Sequence, residues 1–66
     1  MSNKFHDNEC VIAKRQLTEK IQAGTVGVVI NISGDKVYGV EFDIASNNID
    51  DRWIDVKEDD LLPYEA

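Results

Sequence analysis

Hydrophobic and polar positions alternate over residues 25–32 with the two-residue period of a strand. Val26, Val28, Ile30 and Ile32 share one face, and Thr25, Gly27, Val29 and Asn31 share the other. A second alternating run occupies 37–42, with Tyr38, Val40 and Phe42 on one side and Val37, Gly39 and Glu41 on the opposite side. Between them stands Ser33-Gly34-Asp35-Lys36, which is turn chemistry, because glycine supplies positive φ without steric penalty and Ser or Asp can bond the local backbone. Two strands so tightly joined predict an antiparallel hairpin.

Shorter elements flank the hairpin. The apolar run "ECVIA" at 9–13 suits a first strand, whereas 1–8 has no hydrophobic period and reads as a flexible lead. In "KRQLTEKIQA" at 14–23, Leu17 and Ile21 stand four apart, and Gly24 could close a helix. Ten residues make a marginal helix, so the expectation is a long loop with one helical turn at most, its two apolar residues folded onto the core. "ASNNI" at 45–49 reads as a turn. "DRWIDVK" at 51–57 reads as a strand with Arg52, Ile54 and Val56 on one face and Trp53 and Asp55 on the other. In "EDDLLPY" at 58–64 the proline predicts a short 3₁₀ turn over Leu61 and Leu62, followed by a brief edge strand.

Four or five short strands cannot build two full sheets, but they can curl around one small interior, and Gly27 and Gly39 are positions where a sheet can bend or bring backbones close. The expected fold is therefore all-β: a small barrel of four to five antiparallel strands over residues 9–66, with a short 3₁₀ turn near the C-terminus.

Length and charge narrow the function classes. A chain of 66 residues is one domain, and domains of about that size bury only about 60% of the surface their unfolded chains expose. A single cysteine, Cys10, allows no internal disulfide to compensate, so oligomerisation or a tight partner is the natural supplement. The lone cysteine, the absence of a signal-peptide pattern in "MSNKFHDNEC" and the lack of a long apolar segment predict a soluble, cytoplasmic protein without membrane contact. The net charge of -6 is unevenly placed: residues 1–40 carry +1 and residues 41–66 carry -7. A surface of that sign repels a phosphate backbone, which makes nucleic acid a poor partner and a basic protein a good one.

Four sequence features carry a family resemblance: the apolar strand "CVIA" at 10–13, "IQAGTVGVVINI" at 21–32, "YGVEF" at 38–42 and the closing "DDLLP" at 59–63. Across Cys10 to Pro63 the chain resembles a family of short bacterial proteins known only as domain of unknown function 4926. The resemblance implies an SH3-like barrel and a small stand-alone protein similar to immunity proteins or antitoxins encoded beside toxins, with no established catalytic residue. The chain departs from the family at "IASNNID", residues 44–50, where members usually carry a glycine-containing turn.

Catalytic chemistry is short of parts. His6 and Cys10 are the only histidine and cysteine, and their four-residue spacing is helical on segments read as coil and strand; Cys10 reads instead as a small core residue. The carboxylate-rich "DIASNNIDDRWI" at 43–54 lacks the glycine and the terminal glutamate of a calcium loop, and "GTVG" at 24–27 leads into a strand rather than a phosphate-binding helix. No catalytic, metal or cofactor site is expected. Tyr38 and Phe42 read as core, whereas Trp53, beside Arg52, Asp51 and Asp55, has the polar-ringed aromatic character of an interface anchor.

Residues Asp50, Asp51, Trp53, Asp55, Glu58, Asp59 and Asp60 thus form the expected protein-binding site of a non-enzymatic, immunity- or antitoxin-like inhibitor that docks on a basic toxin or nuclease. Two other readings remain open from the sequence. One is a structural subunit stabilised by oligomer or complex contacts. The other is an SH3-like nucleic-acid or ribosome-associated module using the basic stretch Lys14, Arg15 and Lys20.

Overall fold

A computed structural model describes residues 3–65. Five strands form one antiparallel sheet: β1 (Cys10–Ala13), β2 (Val26–Gly34), β3 (Val37–Phe42), β4 (Trp53–Lys57) and β5 (Leu61–Pro63). A single helical turn, α1 (Ile49–Arg52), precedes β4, and a 3₁₀ turn at Glu58–Asp60 joins β4 to β5. The spatial order β4-β3-β2-β1-β5 makes β2, β3 and β4 a meander and returns the last strand to pair with the first. This is the small all-β, barrel-like fold that the alternating pattern predicts.

The core follows from the alternation. Tyr38, Val40 and Phe42 of β3 point inward together with Val11, Ala13, Val29, Val56 and Leu61. Ile21 is buried and Leu17 packs against the cluster, so the long β1–β2 loop folds its two apolar residues onto the interior as expected. That loop contains no helical turn; the Leu17 amide instead donates to the Ile21 carbonyl at 2.8 Å, closing a tight bend.

On β2 the shared face of Val26, Val28 and Ile30 is the outer one, and only Gly27 and Val29 point in. Space decides this. A Cβ at Gly27 would stand 2.8 Å from both Phe42 Cδ1 and Val40 Cγ1, so the bulky β3 side chains already fill the interior there. Register shifts between Val29 and Asn31 and between Ile32 and Gly34 then break the alternation and leave Ile32 exposed.

Several expectations are corrected. Residues 3–8 do not form a loose lead: Phe5 is 1% exposed and meets the Tyr38 ring edge-on at 5.5 Å between centroids. The Asn8 amide donates to the Val29 carbonyl at 2.7 Å. The lone aromatic of a polar stretch joins the buried core; positions 1 and 2 of the expected lead lie outside the described residues. Cys10 is exposed rather than core, because Val11 and Ala13 take the inward positions of β1. The hairpin turn is two residues, Asp35 and Lys36, and its positive φ of 61° falls on Lys36 rather than Gly34. Finally, the 3₁₀ turn occupies Glu58–Asp60 rather than Leu61 and Leu62, since Leu61 is drawn into the core and aligned in β5 opposite Ala13.

Candidate functional site

The region read as a turn running directly into a strand contains a capped helical turn instead. Asn48 adopts extended backbone and its Oδ1 accepts from the Asp50 amide at 3.0 Å, the arrangement of an N-cap, with Asp50 and Asp51 in the first turn and Arg52 in the last. This turn raises Ile49 to the surface and delivers Trp53 to the outer face of β4. Both side chains are 44% exposed. Gly39 of β3 lies beneath the indole: Trp53 Nε1 stands 2.9 Å from where a Cβ at Gly39 would be, and the Asn31 side chain crowds the same point. The missing side chain lets the indole nitrogen approach the strand closely.

Trp53 thereby becomes the wall of a shallow depression of about 390 Å³, completed by Ile49, Ile54, Asp50 and Asp55. Asp55 Oδ1 accepts from the Ser33 hydroxyl at 2.9 Å, while Asp50 is exposed and has no ion-pair partner among the described residues. Three expected site residues, Asp50, Trp53 and Asp55, are therefore brought together around one depression.

The remaining four are placed differently. Asp51 accepts from Lys20 Nζ at 2.8 Å and from the Ser46 hydroxyl at 2.9 Å, and these hydrogen bonds hold its carboxyl below the ordinary carboxylate range while raising the Lys20 ammonium. Asp60 pairs with Arg15 Nε at 2.9 Å. Glu58 Oε2 accepts from the Tyr38 hydroxyl at 2.7 Å and from the Lys4 amide at 2.8 Å, and these bonds lower its carboxyl. Tyr38 moves upward, chiefly because burial disfavours the phenolate. Asp59 is exposed and, with Glu58, lines a second depression of about 200 Å³ at the other end of β4 beside Lys36, Val37 and Lys57. Asp51, Glu58 and Asp60 thus fasten the β1–β2 loop and the N-terminal segment to the barrel, whereas Asp50, Asp55 and Asp59 keep exposed acidic charge.

Sequence reasoning missed Ile49 and Ile54 as lining residues of the site. The Asn48-Ile49-Asp50-Asp51 capping pattern was the available signal for the first. A wider cleft of about 630 Å³ lies on the outer face between β2 and β3, lined by Val26, Val28, Glu41, Asp43, Ile44 and Arg52 among others. Arg52 donates to the Ser46 carbonyl at 2.6 Å; its Nε lies 3.5 Å from Glu41 Oε2, a charge contact without hydrogen-bond geometry. Among the described residues no group of three His, Cys, Asp or Glu is placed to hold a metal ion, and no helix is long and apolar enough to cross a membrane. No protein-family model, curated protein or solved structure matches the chain.

Proposed function

We propose that the protein is a non-enzymatic binding module that receives a basic surface of another protein at Trp53. One observation carries this reading: a half-exposed tryptophan and isoleucine, Trp53 and Ile49, line one depression together with two carboxylates, Asp50 and Asp55. Interface anchors have this composition, with a large aromatic supplying contact area and a polar rim excluding water. The acidic rim selects for lysine or arginine on the partner and speeds encounter. The charge asymmetry favours a basic partner, and the family resemblance makes an acidic inhibitor of a toxin or nuclease its specific form. The pairing of Arg15 with Asp60 and of Lys20 with Asp51 withdraws two of the three cations on which nucleic-acid binding would depend.

The chain has a single tryptophan, so its emission reports on this site directly. Titration with arginine-rich peptides carrying interspersed apolar residues is expected to shift Trp53 emission. The shift should weaken with salt, and should weaken about tenfold in an Asp50→Asn/Asp55→Asn variant that loses two charge-assisted contacts. An emission spectrum that no basic peptide changes, or a response identical in the variant, rejects the site.

A further inference from the structure

The outer face of β5, β1 and β2 is apolar where a solvated antiparallel sheet is ordinarily polar. The register aligns two rows across it: Leu62 and Val26 both oppose Ile12, and Val28 opposes Cys10. Ile30 extends the stripe along β2. Ile12, Val26, Val28 and Ile30 are half-buried, and Leu62 and Cys10 are exposed. No charged side chain interrupts these rows until Lys14, just past the end of β1, and Glu41 and Asp43 on the β3 side. Contiguous apolar surface of this kind on a small domain marks an interaction face.

We propose that this face is where a second copy of the chain binds, as a two-fold dimer with its axis parallel to β2. The charges at its margin favour that occupant. Lys14 and Asp43 lie at the same end of the stripe but on opposite sides of β2: the Ala13 amide bonds the Thr25 carbonyl, and the Asp43 amide bonds the Val26 carbonyl. Strand alternation continues outward to both residues. When two such faces meet across an axis parallel to β2, Lys14 of each copy comes over Asp43 of the other, while Val26, Val28 and Ile30 meet their own counterparts. An isologous contact of this kind satisfies both charges twice. Neither Lys14 nor Asp43 has an ion-pair partner within the chain among the described residues. Glu41 stays beside Arg52 of its own chain. The acids of α1 and β4, Asp50, Asp51 and Asp55, lie on the far side of β3 from this face, so two copies approach without stacking those like charges. Stacked at the roughly 10 Å spacing of packed sheets, the two faces also bury surface that a chain of this length cannot bury alone.

Sedimentation velocity from low to high micromolar concentration tests the proposal. The expected result is a concentration-dependent rise from the 7.4 kDa chain toward twice that mass. An Ile12→Thr/Val28→Thr variant, which keeps a β-branched residue at both outward positions, should weaken the dimer at least tenfold while Trp53 emission stays unchanged. Lys14→Glu or Asp43→Lys alone should weaken it at low salt, and the double exchange should restore it. Alkylation of Cys10 should slow as concentration rises. A monomer at every concentration overturns the proposal, as does a dimer indifferent to the Ile12/Val28 variant. Failure of the double exchange to restore affinity overturns the two-fold arrangement, and a monomer that uses this face for a different protein overturns self-association.

Discussion

Gly27 and Gly39 occupy neighbouring strands but answer to opposite faces. At Gly27 an added methyl meets Phe42, Val40 and the Glu41 carbonyl, all held by the core or the ladder. Gly27→Ala is therefore expected to destabilise the fold by about 1–3 kcal/mol, as overpacked cores do, and urea unfolding would measure it. At Gly39 the methyl meets the Asn31 and Trp53 side chains on the outer surface, which can swing away. Gly39→Ala should therefore cost less stability and lift the indole off the strand, read as a red shift of Trp53 emission. Tyr38 differs again, since its buried ring carries a hydroxyl that accepts from the Phe5 amide at 3.1 Å and donates to Glu58. Tyr38→Phe leaves that amide without its partner and should cost about 1–2 kcal/mol in the same unfolding measurement. The inward placement of Tyr38 could be read from alternation alone. Its hydroxyl network could not, because its partners lie 20 and 33 residues away in segments without a period.

At the scale of elements, legibility tracked the strength of the local pattern. The β2–β3 hairpin and the inward face of β3 were visible because each alternates over at least six residues. The outward orientation of Val26, Val28 and Ile30 was not, because it depends on how much room Phe42 and Val40 leave across the barrel. The turn illustrates the same limit: composition pointed to Gly34, but the two-residue connection puts the left-handed conformation on Lys36, φ 61°. A non-glycine residue there costs about 1–2 kcal/mol relative to the right-handed region, offset in a glycine variant by extra freedom of the unfolded chain. Lys36→Gly is therefore expected to raise stability by about 0.5–1 kcal/mol, visible as a higher midpoint in urea. Of the candidate site, the acids and Trp53 were legible as composition. Their division into charges that fasten the long loop and charges left free was not, because Arg15–Asp60 and Lys20–Asp51 join residues more than 30 positions apart. Solvent screens exposed ion pairs, so an Asp51→Asn/Asp60→Asn variant should barely change global unfolding. Its effect should be local, as faster amide exchange in residues 14–25.

For the whole molecule, the same contacts set how stability responds to pH. Hydrogen bonds from Tyr38 and the Lys4 amide lower Glu58, and hydrogen bonds from Lys20 and Ser46 lower Asp51, so both carboxyls bind protons more weakly when folded than when unfolded. Stability from a depressed carboxyl is fully present above its unfolded value and is lost as pH falls through the folded one, so both groups contribute to the acid limb. Lys20 is raised by Asp51, and its contribution is present below its unfolded value and lost as pH rises through the folded one. Burial raises Tyr38, so ionising it at high pH also favours the unfolded chain. Thermal midpoints should consequently hold a plateau through neutral pH and decline on both sides. Tyr38→Phe removes the largest influence on Glu58, and Asp51→Asn removes a titrating group outright. Combining them should flatten the acid decline below the ordinary carboxylate range, and a decline as steep as that of the unaltered chain would assign acid sensitivity to other carboxylates. Since Glu58 also holds the Lys4 amide, the acid limb should begin with release of residues 3–8 from the barrel, so amide exchange at Phe5 should rise at a higher pH than exchange at the β3 core.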